Sequence, residues 1–251
     1  ANGWNTLGVT QKQCDAYCMN DGSDVHGKDK EIGRGDGSER VKGYVTFEDI
    51  NAGRYIPLLE GVSLQYANRE PRFYASVAYN GSLWTLSTAT IPEHRNYRTW
   101  YYRGSPEGYS NTDFWLRTGI GCKKYVHPYD TYENNTLSQI RNKTEPAIRY
   151  AEILLIYAEA LNELDGSYQI PSWDDSKIYT INRDIIEMKK GILPIRIRAG
   201  LPDFDTDDYN SKEELRKKIK RERQIELMAE GHRYYDLRRW KDAPTEEALP
   251  V

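Results

Sequence analysis

The stretch Arg149–Leu164, RYAEILLIYAEALNEL, constrains the fold more than any other part of the chain. Eleven of its sixteen residues are Ala, Ile, Leu or Tyr, and nothing in it breaks a helix. A helix apolar on almost every side is expected to be buried nearly all the way round, in the middle of a multi-helix assembly. Thr144 and Pro146 upstream suit its start, and Asp165-Gly166 suits its end. At about 24 Å, from roughly 1.5 Å per residue, it is too short and too acidic to span a bilayer.

Three carboxylates interrupt this apolar rod. Glu152, Glu159 and Glu163 fall at i, i+7 and i+11 and form one narrow stripe. Buried carboxylates need partners, so the stripe reads either as a metal or catalytic pair or as a structural network with arginines of a neighbouring helix. A di-metal bundle would also carry Glu-x-x-His repeats, and this chain has none.

Downstream, Lys177–Lys190 has apolar residues at 178, 181, 185, 186 and 188, which predicts a helix interrupted near Gly191 and Pro194. A third, long and strongly charged helix is predicted over Lys212–Trp240, with Glu222, Glu226 and Glu230 on one face and Gly231 softening its middle. The last eleven residues, KDAPTEEALPV, carry no structure signal. Helix pairs of this size point to stacked hairpins of the tetratricopeptide kind.

The first part of the chain is different. Residues 1–40 are polar and Gly/Asp-rich around a short helix near Gln11–Met19, and their Asp spacing does not fit an EF-hand. RFYASVAY (72–79) alternates and predicts a short strand or a tight extended segment, closed by a turn at Asn80-Gly81. Residues 82–130 have no helical period and hold Trp84, Tyr97, Trp100, Tyr101, Tyr102, Tyr109, Phe114 and Trp115 interleaved with Arg95, Arg98, Arg103 and Arg117. Long irregular stretches of this sort are usually functional, and aromatics with arginines make a stacking and hydrogen-bonding surface. The competing reading is that the rings merely pack the loop onto what lies beneath. Trp84, Trp100, Tyr101, Tyr102 and Trp115 are the candidate ligand-binding residues; no catalytic residue, metal ligand or cofactor is expected.

Composition narrows the function classes. A formal charge of -3, with no Lys/Arg run, excludes nucleic acid as an obvious partner. Twenty Tyr and six Trp against four Phe favour wettable aromatic surfaces of the kind that sugars, peptides and bases stack on. Three cysteines and four scattered His make no zinc site, and Cys14 and Cys18, one helical turn apart, are poorly placed to bridge. Sequons at Asn80, Asn134 and Asn142 are weak signals in an Asn-rich chain. No signal peptide or membrane-spanning run is present, and the start at ANGWNTLGVT suits a mature form or a fragment.

Taken in order, RYAEILLIYAEALNEL, IRAGLP and RERQIELMAEGHRYYDLRRW resemble the C-terminal half of the SusD/RagB family, and DAYCMNDG (15–22) and REPRFYASVAYNG (69–81) match the same pattern upstream. The resemblance spans roughly residues 9–242. It implies a mainly α fold: a tetratricopeptide-like α/α superhelix with long irregular loops and a few short strands. Residues 1–145 would form the loop-rich, ligand-facing part and 146–251 the helical scaffold. It also implies a surface-exposed outer-membrane lipoprotein that captures glycans, or in some branches peptides, and delivers them to a SusC-like TonB-dependent transporter, without catalysis. The lipid anchor and N-terminal helical repeats typical of the family are absent here, so a fragment of a longer chain is expected.

Arg149, Tyr150, Glu152, Glu159, Asn162, Glu163, Glu222, Arg223, Glu226, Glu230, Arg233, Asp236 and Trp240 fall on family-motif positions and read as scaffold, with Glu and Arg on facing helices satisfying each other. The family's ligand contacts lie on variable loops, so the aromatic candidates rest on the residues alone. Two other functions compete with glycan capture. One is a helical-repeat adaptor for a peptide or protein; the other is a glycoside hydrolase, which needs two carboxylates across a cleft and has no supporting motif here.

Overall fold

The structure is a computed structural model that describes residues 8–25, 42–109, 115–133, 136–139, 141–144 and 146–246. The chain divides into two units, Ala1–Glu145 and Pro146–Val251.

The first unit is built from short elements: α1 (Gln11–Ala16), α2 (Phe47–Asn51), α3 (Pro71–Ser76), β1 (Val77–Ala78), β2 (Leu83–Thr85), β3 (Asn96–Arg98), β4 (Gly121–Cys122), β5 (Thr131–Glu133) and β6 (Thr136–Gln139). Its described strands pair two at a time, β1 with β4, β2 with β3 and β5 with β6, all antiparallel. Thr10 caps α1 by accepting from the Gln13 N–H, and Thr46 and Asp49 form a reciprocal capping box on α2. The core is aromatic: Phe73 stacks with Tyr66 and Tyr79 and meets the edges of Tyr17 and Tyr74. Buried Arg69 lies 4.7 Å above the Phe73 ring and donates to the Tyr17 carbonyl at 2.9 Å.

RFYASVAY is therefore not a strand throughout. Pro71 at the first helical position starts a helix that runs to Ser76, and only Val77–Ala78 extend into a strand. The turn places Phe73 inside the aromatic cluster, and that packing outweighs the β preference of the isolated sequence. The Asn80-Gly81 turn is present, with Gly81 at φ 87°. The Gly/Asp-rich segment from 26 to 41 lies outside the described residues.

The second unit contains α4 (Tyr150–Glu163), the hairpin β7 (Tyr168–Pro171) and β8 (Ile178–Ile181), α5 (Ile185–Arg198), α6 (Thr206–Asn210), α7 (Lys212–Glu226), α8 (His232–Arg239) and α9 (Ala243–Glu246). Helix α4 runs antiparallel to α5. Ala158 and Leu161 cluster with Met188 and Ile192, while Ala151 and Leu155 cluster with Ile195. On its other flank α4 runs antiparallel to α7: Asn162 donates to the Lys212 carbonyl at 2.9 Å, and Arg149 reaches Glu226 at 3.0 Å. Gly191 permits the close α4–α5 approach, because a Cβ there would lie 2.4 Å from the Leu154 carbonyl oxygen.

Four expectations are corrected here. Helix α4 is buried along one side only. Tyr150, Ile153, Ile156 and Tyr157 are 75, 47, 45 and 40 % exposed, because its main neighbours, α5 and α7, cover the opposite side. Lys177–Lys190 is not one helix. Ile178–Ile181 pairs with Tyr168–Pro171, and α5 starts only after Asp184, whose carboxylate accepts from the Glu187 N–H at 2.9 Å. It then continues through Gly191 and exposed Pro194, since losing one backbone bond next to solvent costs less than ending a packed helix. The charged segment 212–240 breaks into α7 and α8, with Ala229 and Gly231 in left-handed conformation at φ 61° and 83°. Finally, Ala243–Glu246 forms a short helix in a tail without a sequence signal.

Candidate functional site

The aromatic stretch is organised by the β2–β3 hairpin, which sets Trp84 opposite Tyr97. Beyond the strands the Thr99 N–H donates to the Ser82 carbonyl and the Thr99 carbonyl accepts from the Gly81 N–H, and the Asn80 side chain accepts the Tyr101 N–H at 2.7 Å. Asn80 is thus engaged internally. Glu107 ties the following loop down: it accepts the Tyr97 hydroxyl and, at 3.2 Å, the Trp100 N–H. The bond to Glu107, helped by burial, pushes the Tyr97 phenol up to about 12.

The five candidate rings fall into two groups. Trp84 and Tyr101 are part of the framework. The Trp84 indole donates to Thr99 Oγ1 at 3.1 Å, and Lys123 lies 5.9 Å from its ring while donating to the Leu83 carbonyl at 2.9 Å. Burial raises the Tyr101 phenol, opposed by hydrogen bonds to Thr99 and Trp84. Trp100 is a wedge. The Arg98 guanidinium covers its ring at 4.2 Å, and its far edge lies so close to Gly81 that a Cβ there would come within 2.9 Å.

Tyr102 is more open, whereas Trp115 is half-buried like Trp84, Trp100 and Tyr101. Tyr102, 56 % exposed, projects beyond Trp100 with ring centres 5.7 Å apart. Ser105 Oγ donates to the Tyr102 carbonyl at 2.6 Å, and Gly108 lies against the same carbonyl, where no side chain would fit. Tyr109 follows this tight turn in the chain. Tyr109 meets Trp115 edge to face at 5.5 Å, and Arg117 sits 6.0 Å from the Trp115 ring. Two ring pairs make up the aromatic track: Trp100 with Tyr102, flanked by Arg98, and Tyr109 with Trp115, flanked by Arg117. Tyr109 was not among the candidates, although it belongs to the same aromatic-arginine run. Its ring contact with Trp115 is what adds it. Phe114 lies outside the described residues.

The helical carboxylates are engaged with cations and N–H donors. Arg149 holds Glu230 at 2.7 and 2.8 Å and Glu226 at 3.0 Å. Arg223 grips Asp236 with two bonds of 2.9 Å, and Arg196 meets Glu222 at 3.2 Å. Glu159 accepts from Arg239 and from the Trp240 indole, both at 2.7 Å; Glu163 accepts from Arg216 at 2.8 Å. Glu152 lies 3.5 Å from His232, and Arg233 meets Glu246 at 3.1 Å. Among the described residues no group of three His, Cys, Asp or Glu side chains could hold a metal ion. No helix of the described residues is long and apolar enough to cross a membrane.

Fold and site together define a helical-hairpin scaffold joined to a loop-built aromatic surface. Known proteins of this kind match the chain. The family model described as the SusD family matches residues 1–249. SusD-like protein P38 of Formosa agariphila is 38% identical over 95 residues, covering 38% of this chain and 16% of its own length. SusD-like protein P2 of the same organism is 38% identical over 96 residues, with the same coverage. The solved structure of a SusD-like protein from Bacteroides fragilis superposes with a TM-score of 0.61 at 28% identity, over 97% of this chain and 38% of that one. The chain belongs to the SusD family, and its fold is mainly α and tetratricopeptide-like, with a few short strands. It spans well under half the length of these relatives.

Proposed function

We propose that this chain is part of a surface glycan-capture protein of the outer membrane, binding oligo- or polysaccharide on its aromatic track and passing it to a SusC-like TonB-dependent transporter. Family membership supports the class. The observation that carries the binding reading is the pair of exposed rings, Tyr102 beside Trp100 and Tyr109 beside Trp115, with the Tyr102 turn braced by Glu107 and Gly108. Sugar faces stack on such rings, while flanking arginines bond hydroxyls. Binding on an open platform is shallow, with affinity per site of roughly micromolar to millimolar. The reading is a binding protein and not an enzyme: the helical carboxylates that a hydrolase would draw on are engaged in ion pairs.

Electrophoresis through gels containing individual polysaccharides tests this. Retardation by a glycan, lost in Tyr102→Ala or Trp115→Ala proteins that keep the wild-type circular dichroism spectrum, supports it. Retardation untouched by either substitution moves the ligand elsewhere.

A second reading has its own observation. Tyr150, Ile153, Ile156 and Tyr157 leave an apolar side on α4, and Trp173 at the β7–β8 tip is 97 % exposed. These surfaces favour a protein contact of the helical unit, as an adaptor would make. Ile153→Glu and Trp173→Ala would then weaken protein association and leave glycan retention unchanged.

A further inference from the structure

Resting on the capture reading, we propose that the aromatic track selects acidic glycans, whose carboxylate or sulfate groups are recognised by Arg103 and Arg117. Each arginine lies close in the chain to one of the track's rings. Arg103 follows Tyr102 in the chain, and Arg117 lies 6.0 Å from the Trp115 ring. Both side chains are exposed, and among the described residues neither has a carboxylate partner. The other charges of the track are already engaged. Arg98 is stacked on Trp100 and donates to the Glu60 carbonyl, while the two oxygens of Glu107 take the Tyr97 hydroxyl and the Trp100 N–H.

The chemistry follows from this difference. A neutral sugar needs only a ring face and a few hydroxyl partners. A planar guanidinium beside that face adds a fork of donors matched to a carboxylate or sulfate, and it stays charged at any working pH. The whole chain carries a formal charge of -3, so a general attraction for polyanions does not arise from net charge. Selection has to come from the two exposed arginines, of which Arg117 lies against the Trp115 ring.

The test is affinity electrophoresis of the full chain in gels with matched probes: dextran against dextran sulfate, polygalacturonate against its methyl ester, and polyglutamate as a polyanion without sugar faces. The Arg103→Gln/Arg117→Gln double variant is compared with Arg103→Lys/Arg117→Lys, Tyr102→Ala and wild type. Retention is expected with polygalacturonate or dextran sulfate, and whichever retains the protein identifies the anion. Neutral partners should retain it weakly. The Gln pair should bind the charged glycan about tenfold more weakly, as expected for two solvent-exposed charge contacts, and the Lys pair should recover part of the loss. Added salt should weaken retention by the charged probe only.

Equal retention by neutral and charged glycans, unchanged in the Gln pair but lost in Tyr102→Ala, overturns the acidic selection and leaves glycan capture standing. Equal retention by polyglutamate overturns the glycan specificity. If no polysaccharide retains the protein, both proposals fall.

Discussion

Arg196 and Glu222, each 2 % exposed, meet at 3.2 Å inside the helical unit. Arg196 also donates to the Pro202 carbonyl at 2.6 Å and stacks 4.0 Å from the Phe204 ring, so it ties the segment after α5 to α7. Removing one partner leaves the other charge buried without it. Arg196→Met is expected to cost about 3–5 kcal/mol in urea unfolding, whereas Arg196→Met/Glu222→Met should recover much of the loss, because two apolar groups need no desolvated charge.

Gly191 gives a sharper test of packing. Alanine is the better helix former by about 1 kcal/mol, yet its methyl would fall 2.4 Å from the Leu154 carbonyl oxygen and 2.9 Å from Ala158 Cβ. Gly191→Ala should therefore destabilise the helical unit by about 1–3 kcal/mol. A stability at or above wild type in thermal unfolding would mean that the helices do not approach this closely.

The two groups of rings predict opposite responses to truncation. Trp84→Ala removes a half-buried indole and leaves Thr99 short of a donor, so it should lower stability by about 2 kcal/mol or more. Exposed Tyr102→Ala should stay within about 0.5 kcal/mol. Denaturant midpoints for both proteins decide whether framework and binding rings are separate sets.

Asp130 makes part of the stability depend on acid. Burial alone would raise its carboxyl, but Lys143 and the N–H groups of Arg141 and His127 outweigh that and hold it down at about 2. The folded value lies below the ordinary 3.8, so the contribution is complete above that pH and is lost as the pH falls towards about 2. Melting temperatures from pH about 5 down to about 2 should fall less steeply for Asp130→Asn than for wild type. Parallel curves would count against the depressed value.

Local pattern carries some features of this chain and not others. The helical state of Tyr150–Glu163 follows from its composition, and the turn at Asn80-Gly81 from a residue pair tolerant of positive φ. An aromatic surface rich in arginine is also visible in the order of residues 95–117. Each depends on side chains close together in the chain, which is why it can be read there.

Tertiary structure decided the rest. Ile178–Ile181 has apolar spacing compatible with a helix and becomes a strand because Tyr168–Pro171 offers backbone partners. Phe73 sits in a helix because the aromatic cluster lies where that turn points. Trp100 and Tyr102 are two residues apart and equally suited to stacking, but Arg98 and Gly81 enclose one and leave the other half open. Exposure belongs to neighbours that fold in from elsewhere in the chain, and no local spacing encodes it.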